Sequence, residues 1–309
     1  MKEINFQKKL KTLFFLPLIL LILFIFYHAR NSDHAFSETI LREMVLIEEG
    51  KISDVLQKIP EFKDIDREVF ISAFYIDKYE VTNRDYEKFD SEHVRSKHST
   101  QDQQPVVNVS WWDAIAYCNW RSQQEQLDVV YDLDTGEADL TRNGYRLPTE
   151  AEWIKAAFGN EAQSYPWGNE PFNGTQGNFA DRNFQDYNSH FDQWITLNYD
   201  IRAVDDGHTF TASVGSYPEG MSPYGVHDML GNVMEWVHDW YHPEYYKNYP
   251  KMNPSGPKEG MTKILWGSSW YHTPDGHTTK KHGQRFTEYS PETIYSVMGF
   301  RCVRQLGES

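Results

Sequence analysis

The segment Tyr224–Tyr241, YGVHDMLGNVMEWVHDWY, limits what this chain can fold into more than any other stretch. It sets Asp228 and Glu235 seven residues apart around the pair Gly231-Asn232, with Trp236 and Trp240 close behind. Glycine and asparagine tolerate a left-handed backbone, so the pair predicts a tight turn. Two carboxylates flanking such a turn can converge on one hard cation while backbone carbonyls complete an oxygen shell, which is calcium chemistry. A plain turn that seats aromatics in a core uses the same residues, so this stretch alone leaves both readings open. Aromatic residues make up 15% of the chain, with 10 Trp and 19 Tyr, which suits a loop-rich fold held by large side chains better than a helical bundle.

Charge narrows the partners. The formal net charge is -15, and Lys2, Lys8, Lys9, Lys11 and Arg30 all precede residue 31 with only Glu3 against them, so the remainder is more acidic still. Such a surface repels phosphate backbones and suits cations, so no nucleic acid partner is expected. The early lysines precede an apolar run, Leu13–Tyr27, which reads as a signal anchor or signal peptide over residues 1–30. No small-residue cleavage site follows, so an uncleaved anchor is preferred, with the lysines cytoplasmic and the main domain exported, periplasmic or extracellular in a bacterium. Residues 31–43 are a polar spacer, and one large domain fills 44–307. Cys118 and Cys302 are the only cysteines. In an oxidising compartment a lone pair has one connectivity, and closing so long a loop contributes up to about 5 kcal/mol in the chain-entropy model. Two separate buried thiols are the alternative.

Met44–Ile47 and Val69–Ile76 are short apolar or alternating runs that predict strands. Three helix starts share a hydroxyl cap followed three positions later by an acid: Thr82 with Asp85, Ser110 with Asp113, and Thr149 with Glu152. Residues 132–144 read as a hairpin-like excursion, and from Tyr165 onward turn residues predict loops and short strands. The class is α+β.

Several phrases then resemble, in order, the formylglycine-generating enzyme or sulfatase-modifying-factor family: FYIDKYEVTNRDYEKF from 74, QPVVNVSWWDAIAYCNW from 104, YRLPTEAEW from 145, YPWGN from 165, the run 205–241, GSSW from 267 and GFRCVR from 299. The resemblance implies an irregular C-type-lectin-like fold with two structural calcium ions. Carried over by motif, one ion takes the side chains of Asp228 and Glu235 with the carbonyls of Gly231 and Val233. The other takes Asn178 and Asp206 with the carbonyls of Phe179 and His208. Cys118 and Cys302 fall where animal members form a disulfide. The beginning departs from the pattern, with Ile47–Ile52 lacking the family's glycine-rich phrase.

The larger departure concerns chemistry. In the oxidase members a cysteine pair after the Gly-Gly-Ser motif binds copper and activates oxygen to turn a sulfatase cysteine into formylglycine. By spacing from Ser269 those places hold His272 and His277. Imidazoles suit copper(II), iron or zinc, whereas thiolates suit copper(I). Ser269, His272 and His277 are thus the candidate catalytic residues, with Trp270 and Arg285 lining the cleft; His282 continues the spacing. His238 and His242, on a possible shared helix face, read as aromatic-rich packing. Three functions are ordered by preference: a calcium-stabilised binding module taking a peptide, protein or small molecule in the former catalytic cleft; an oxidase using copper or iron at His272 and His277; and an ordinary formylglycine generator.

Overall fold

The computed structural model divides the chain into two units, Met1–Glu43 and Met44–Ser309. It describes residues 44–306 except 60–61, 63–64, 66–67, 162, 188–203 and 275–284, and the side chains of 185–187. The Leu13–Tyr27 run and the spacer therefore lie outside the described residues. Among the described residues, no helix is long and apolar enough to cross a membrane.

In chain order the strands are β1 (Met44–Ile47), β2 (Gly50–Lys51), β3 (Phe70–Ile71), β4 (Phe74–Asp77), β5 (Tyr145–Arg146), β6 (Met234–Trp240), β7 (Lys263–Trp266), β8 (Phe286–Tyr289), β9 (Met298–Gly299) and β10 (Val303–Gln305). Among the described residues five α-helical segments accompany them: α1 (Ser53–Leu56), α2 (Asn83–Tyr86), α3 (Trp111–Gln124), α4 (Glu150–Phe158) and α5 (Arg182–Tyr187). One sheet runs β1-β4-β10-β5 and joins the start of the domain to its end; the other runs β8-β7-β6-β9, and β2 pairs with β3. This is the expected α+β class, with few helices, short strands and many loops.

The three predicted helix starts form as their residues require. Thr82, Ser110 and Thr149 each accept a hydrogen bond from the backbone N–H three residues on, and the last two complete reciprocal capping boxes with Asp113 and Glu152. In α3 the buried residues Trp111, Ala114, Ile115, Cys118, Asn119 and Ser122 recur at three and four, giving one inward stripe. By contrast, every residue of α4 is buried, so its charges need internal partners. Glu152 receives Arg146 at 2.7 Å through both guanidinium nitrogens, and Trp153 stacks on Trp266 of β7 with ring centroids 5.3 Å apart. That stack joins the central helix to the second sheet.

Two expectations need correction. Val69–Ile76 is two strands, because the Ser72 N–H turns away to donate to Asn253 Oδ1 at 2.8 Å and ends the ladder. His238 and His242 share no helix face: residues 234–240 are strand β6, and His242 caps the following 3-10 turn. His238 is packing, as preferred. Its ring lies 5.8 Å from that of Tyr131, and burial with the neighbouring Lys263 and Arg146 charges holds its pKa well below the ordinary value. The Lys263 ammonium lies 3.6 Å from the Trp111 ring centre and 3.7 Å from that of the half-buried Trp240, while Trp236 of the same segment is fully buried in the core.

Candidate functional site

The turn preceding β6 has the backbone its residues favour. Asp228, Gly231 and Asn232 have φ of 56°, 99° and 60°. A Cβ on Gly231 would stand 2.8 Å from the Asn178 carbonyl oxygen, so only glycine lets the two loops approach this closely. Asp228 Oδ2 accepts from the Gly215 N–H at 2.7 Å. Glu235 is fully buried and binds Arg301 twice, Oε1 from Nη2 at 2.6 Å and Oε2 from Nε at 2.7 Å, while Trp153 Nε1 donates to Oε2 at 2.9 Å. Glu80 completes the group: Oε2 accepts from Asn232 Nδ2 at 2.6 Å and Oε1 from the Val233 N–H at 3.2 Å.

Of these three buried carboxyl groups only Glu235 bonds the Arg301 guanidinium, whose charge also acts on Glu80 and Asp228. Burial, with Glu235 nearby, pushes the Asp228 carboxyl up to about 6 despite the Gly215 hydrogen bond and the Arg301 charge. Burial followed by the Asp228 and Glu235 charges pushes Glu80 well above the carboxylate range. Among the described residues, no three His, Cys, Asp or Glu side chains converge so as to hold a metal ion. A cation at this turn must therefore draw on backbone carbonyls beside Asp228 and Glu235. The oxygen-only donor set and surplus negative charge fit calcium.

The second expected site lies across the turn. Asp206 Oδ2 accepts from the Phe179 N–H at 2.8 Å and Oδ1 from the His208 N–H at 2.9 Å. Burial, with Asp181 beside it, pushes the Asp206 carboxyl up to about 8. Asn178 donates through Nδ2 to the Phe210 carbonyl at 2.8 Å and to Asn232 Oδ1 at 3.0 Å, while its buried Oδ1 accepts nothing. An orphaned buried amide oxygen, one residue from the N–H that binds a desolvated carboxylate, suits a hard cation. Asn178, Phe179, Asp206 and His208 would hold one ion, and Asp228, Gly231, Val233 and Glu235 the other.

The Gly267–Trp270 motif opens on the same turn, because the Trp270 N–H donates to the Asn232 carbonyl at 3.0 Å. Ser269 Oγ and His272 Nδ1 are 2.7 Å apart, both residues being buried. Trp270 packs among His98, Phe210 and Phe184 at ring separations of 5.1, 5.2 and 5.7 Å, and donates through Nε1 to the Ser296 carbonyl at 3.2 Å. Tyr271, Ile294 and Tyr295 are exposed. Ser269, Trp270 and His272 therefore lie side by side at the end of the motif. His277 and His282 lie outside the described residues. Arg285, expected to line the cleft, is bound to Glu150 through both Nε and Nη2, the latter at 3.1 Å, and to the Tyr246 hydroxyl. Cys118 and Cys302, the expected disulfide partners, face each other in the core with sulfurs 3.6 Å apart.

Residues 32–306 match the model of the sulfatase-modifying factor enzyme 1-like domain. The chain belongs to this family. It is 33% identical over 213 residues to a formylglycine-generating enzyme of Streptomyces coelicolor, covering 68% of this chain and 56% of that one. It is 30% identical over 207 residues to the inactive C-alpha-formylglycine-generating enzyme 2 of Mus musculus, covering 66% and 50%. The chain thus spans little more than half the length of these two relatives. Among solved structures, variable protein 1 of Treponema denticola superposes with a TM-score of 0.61 over 85% of this chain and 95% of its own, at 23% identity, a likeness of fold alone.

Within this sulfatase-modifying-factor domain, Glu80 and Arg301 are the site residues that motif reading left unassigned. Glu80 stands 152 positions from Asn232 and Arg301 stands 66 from Glu235, so no local spacing signals either contact. The available signal was indirect: a charged residue inside an apolar phrase, as in YEVT or GFRC, needs a buried partner somewhere.

Proposed function

We propose that this protein is an exported, calcium-stabilised, non-catalytic binding module of the sulfatase-modifying-factor family, taking a peptide, protein or small molecule in the cleft around Ser269, Trp270 and His272. One observation carries the reading. Where the family's oxidases place the first copper cysteine, His272 stands with Nδ1 against Ser269 Oγ at 2.7 Å, while the chain's two cysteines face each other in the core. Thiolate copper(I) chemistry then has no ligands near the motif. Similarity to a relative named inactive points the same way. The basic and apolar segment before residue 31 supports export with a membrane anchor. Calcium, when bound, neutralises buried carboxylates and ties irregular loops together. The chain's own part is to present oxygens on a preformed turn and to pack Trp270 against His98 and Phe210.

Metal analysis of the full chain tests this. Calcium without stoichiometric copper or iron is expected, and melting should rise with calcium by roughly 5–10 °C when the ion is about a hundredfold above Kd. Asp228→Ala should remove most of that response. Stoichiometric copper or iron that disappears in His272→Ala/His277→Ala would favour an oxidase.

A further inference from the structure

Glu80 lies between β4 and α2, far from the turn in sequence, yet it grips that turn at two successive residues. Its Oε2 takes the Asn232 side-chain amide at 2.6 Å and its Oε1 takes the Val233 backbone N–H at 3.2 Å. The Glu80 backbone is itself held, since the following Val81 N–H donates to the Phe300 carbonyl at 2.9 Å and the Val81 carbonyl accepts from the Val106 N–H at 2.8 Å. Asn232 passes the constraint on. Its Oδ1 accepts from Asn178 Nδ2 at 3.0 Å and from the Ala212 N–H at 2.9 Å, and its own N–H donates to the Asn178 carbonyl at 2.8 Å. One carboxylate therefore fixes the Asn232–Val233 peptide, which lies between the Gly231 and Val233 carbonyls, and, through the Asn232 side chain, the position of Asn178.

Charge supplies a second reason for that residue. Glu80, Asp228 and Glu235 are all buried and, among the described residues, Arg301 is the one cation acting on Glu80 and Asp228, an imbalance that a divalent ion offsets and that an apolar interior otherwise penalises. Neutral glutamine could keep one of the two hydrogen bonds but neither the second acceptor nor the charge.

We propose that Glu80 is the positioning residue of the calcium-holding turn, bracing the Asn232–Val233 peptide between the Gly231 and Val233 carbonyls and supplying a third buried carboxyl group beside the ion. This rests on the calcium reading given above. Residues that hold ligands in place typically change metal affinity by about 10–100-fold when removed, and an effect of that size is expected here.

The test titrates calcium chloride into the chelator-treated full-length chain, following melting temperature and binding heat, for wild type, Glu80→Gln and Glu80→Asp. At least about tenfold weaker calcium binding in Glu80→Gln is expected. A purely structural glutamate would lower the melting temperature equally with and without calcium and leave affinity unchanged, which overturns the proposal. Should Glu80→Gln fail to fold, Glu80→Asp decides: it keeps the charge but withdraws the carboxylate by one methylene, so weakened binding supports the proposal and wild-type affinity overturns it. If wild type itself ignores calcium, the calcium reading fails first and takes this proposal with it. A wild-type response matched by both variants sinks the Glu80 proposal alone.

Discussion

Arg301→Met should destabilise the domain by about 3–5 kcal/mol in urea unfolding, because it strands a buried carboxylate. Arg301 and Glu235 are essentially unexposed, they meet through two hydrogen bonds of 2.6 and 2.7 Å, and the Glu80 and Asp228 charges lie close by. Removing the only guanidinium of the group leaves three carboxylates facing one another. The double variant Arg301→Met/Glu235→Leu should recover part of the loss. Recovery will be incomplete, since Arg301 also donates to the carbonyls of Asp77 and His227 at 3.2 and 2.9 Å. A single variant as stable as wild type would mean that the ion pair does not organise the core.

Trp153→Ala carries an expected loss of similar size, about 3–5 kcal/mol, for a different reason. The indole is completely buried in the main core, stacks on Trp266 and donates to Glu235 Oε2 at 2.9 Å. Truncation leaves a cavity between α4 and β7 and removes one hydrogen bond to a buried carboxylate. Trp153→Phe keeps one aromatic ring in the stack while losing the indole N–H and the second ring's volume, so it should fall between wild type and Trp153→Ala. If Trp153→Phe is as damaging as Trp153→Ala, a single ring in the stack does not hold α4 against β7.

What could be read in the linear chain was whatever is decided within a few residues. The caps at Thr82, Ser110 and Thr149 were legible because a hydroxyl and an acid three positions later satisfy the same helix end. Gly231 and Asn232 were legible as a left-handed turn because few other residues tolerate that backbone. The break at Ser72 was hidden, since its partner Asn253 lies 181 positions away. Strand β6 was hidden too: buried along nearly its whole length, it shows neither a period of two nor one of 3.6. Helix α5 starts on Asp181, whose Oδ1 accepts from the Asn183 and Phe184 N–H groups, but Phe184 stands where the other caps have an acid, so the start was not announced. The roles of Glu80, Arg301 and Arg285 depend on partners remote in sequence, so the motifs located the site without revealing what braces it.

The central claim is that this chain keeps the family's fold while the chemistry of its oxidases is gone. Copper-loaded full-length protein, incubated under oxygen with a sulfatase peptide containing the target cysteine and analysed by mass spectrometry, tests it most directly. With His272 against Ser269 and both cysteines in the core, the peptide cysteine should remain unchanged. Aldehyde accumulating beyond the molar amount of protein would contradict the account.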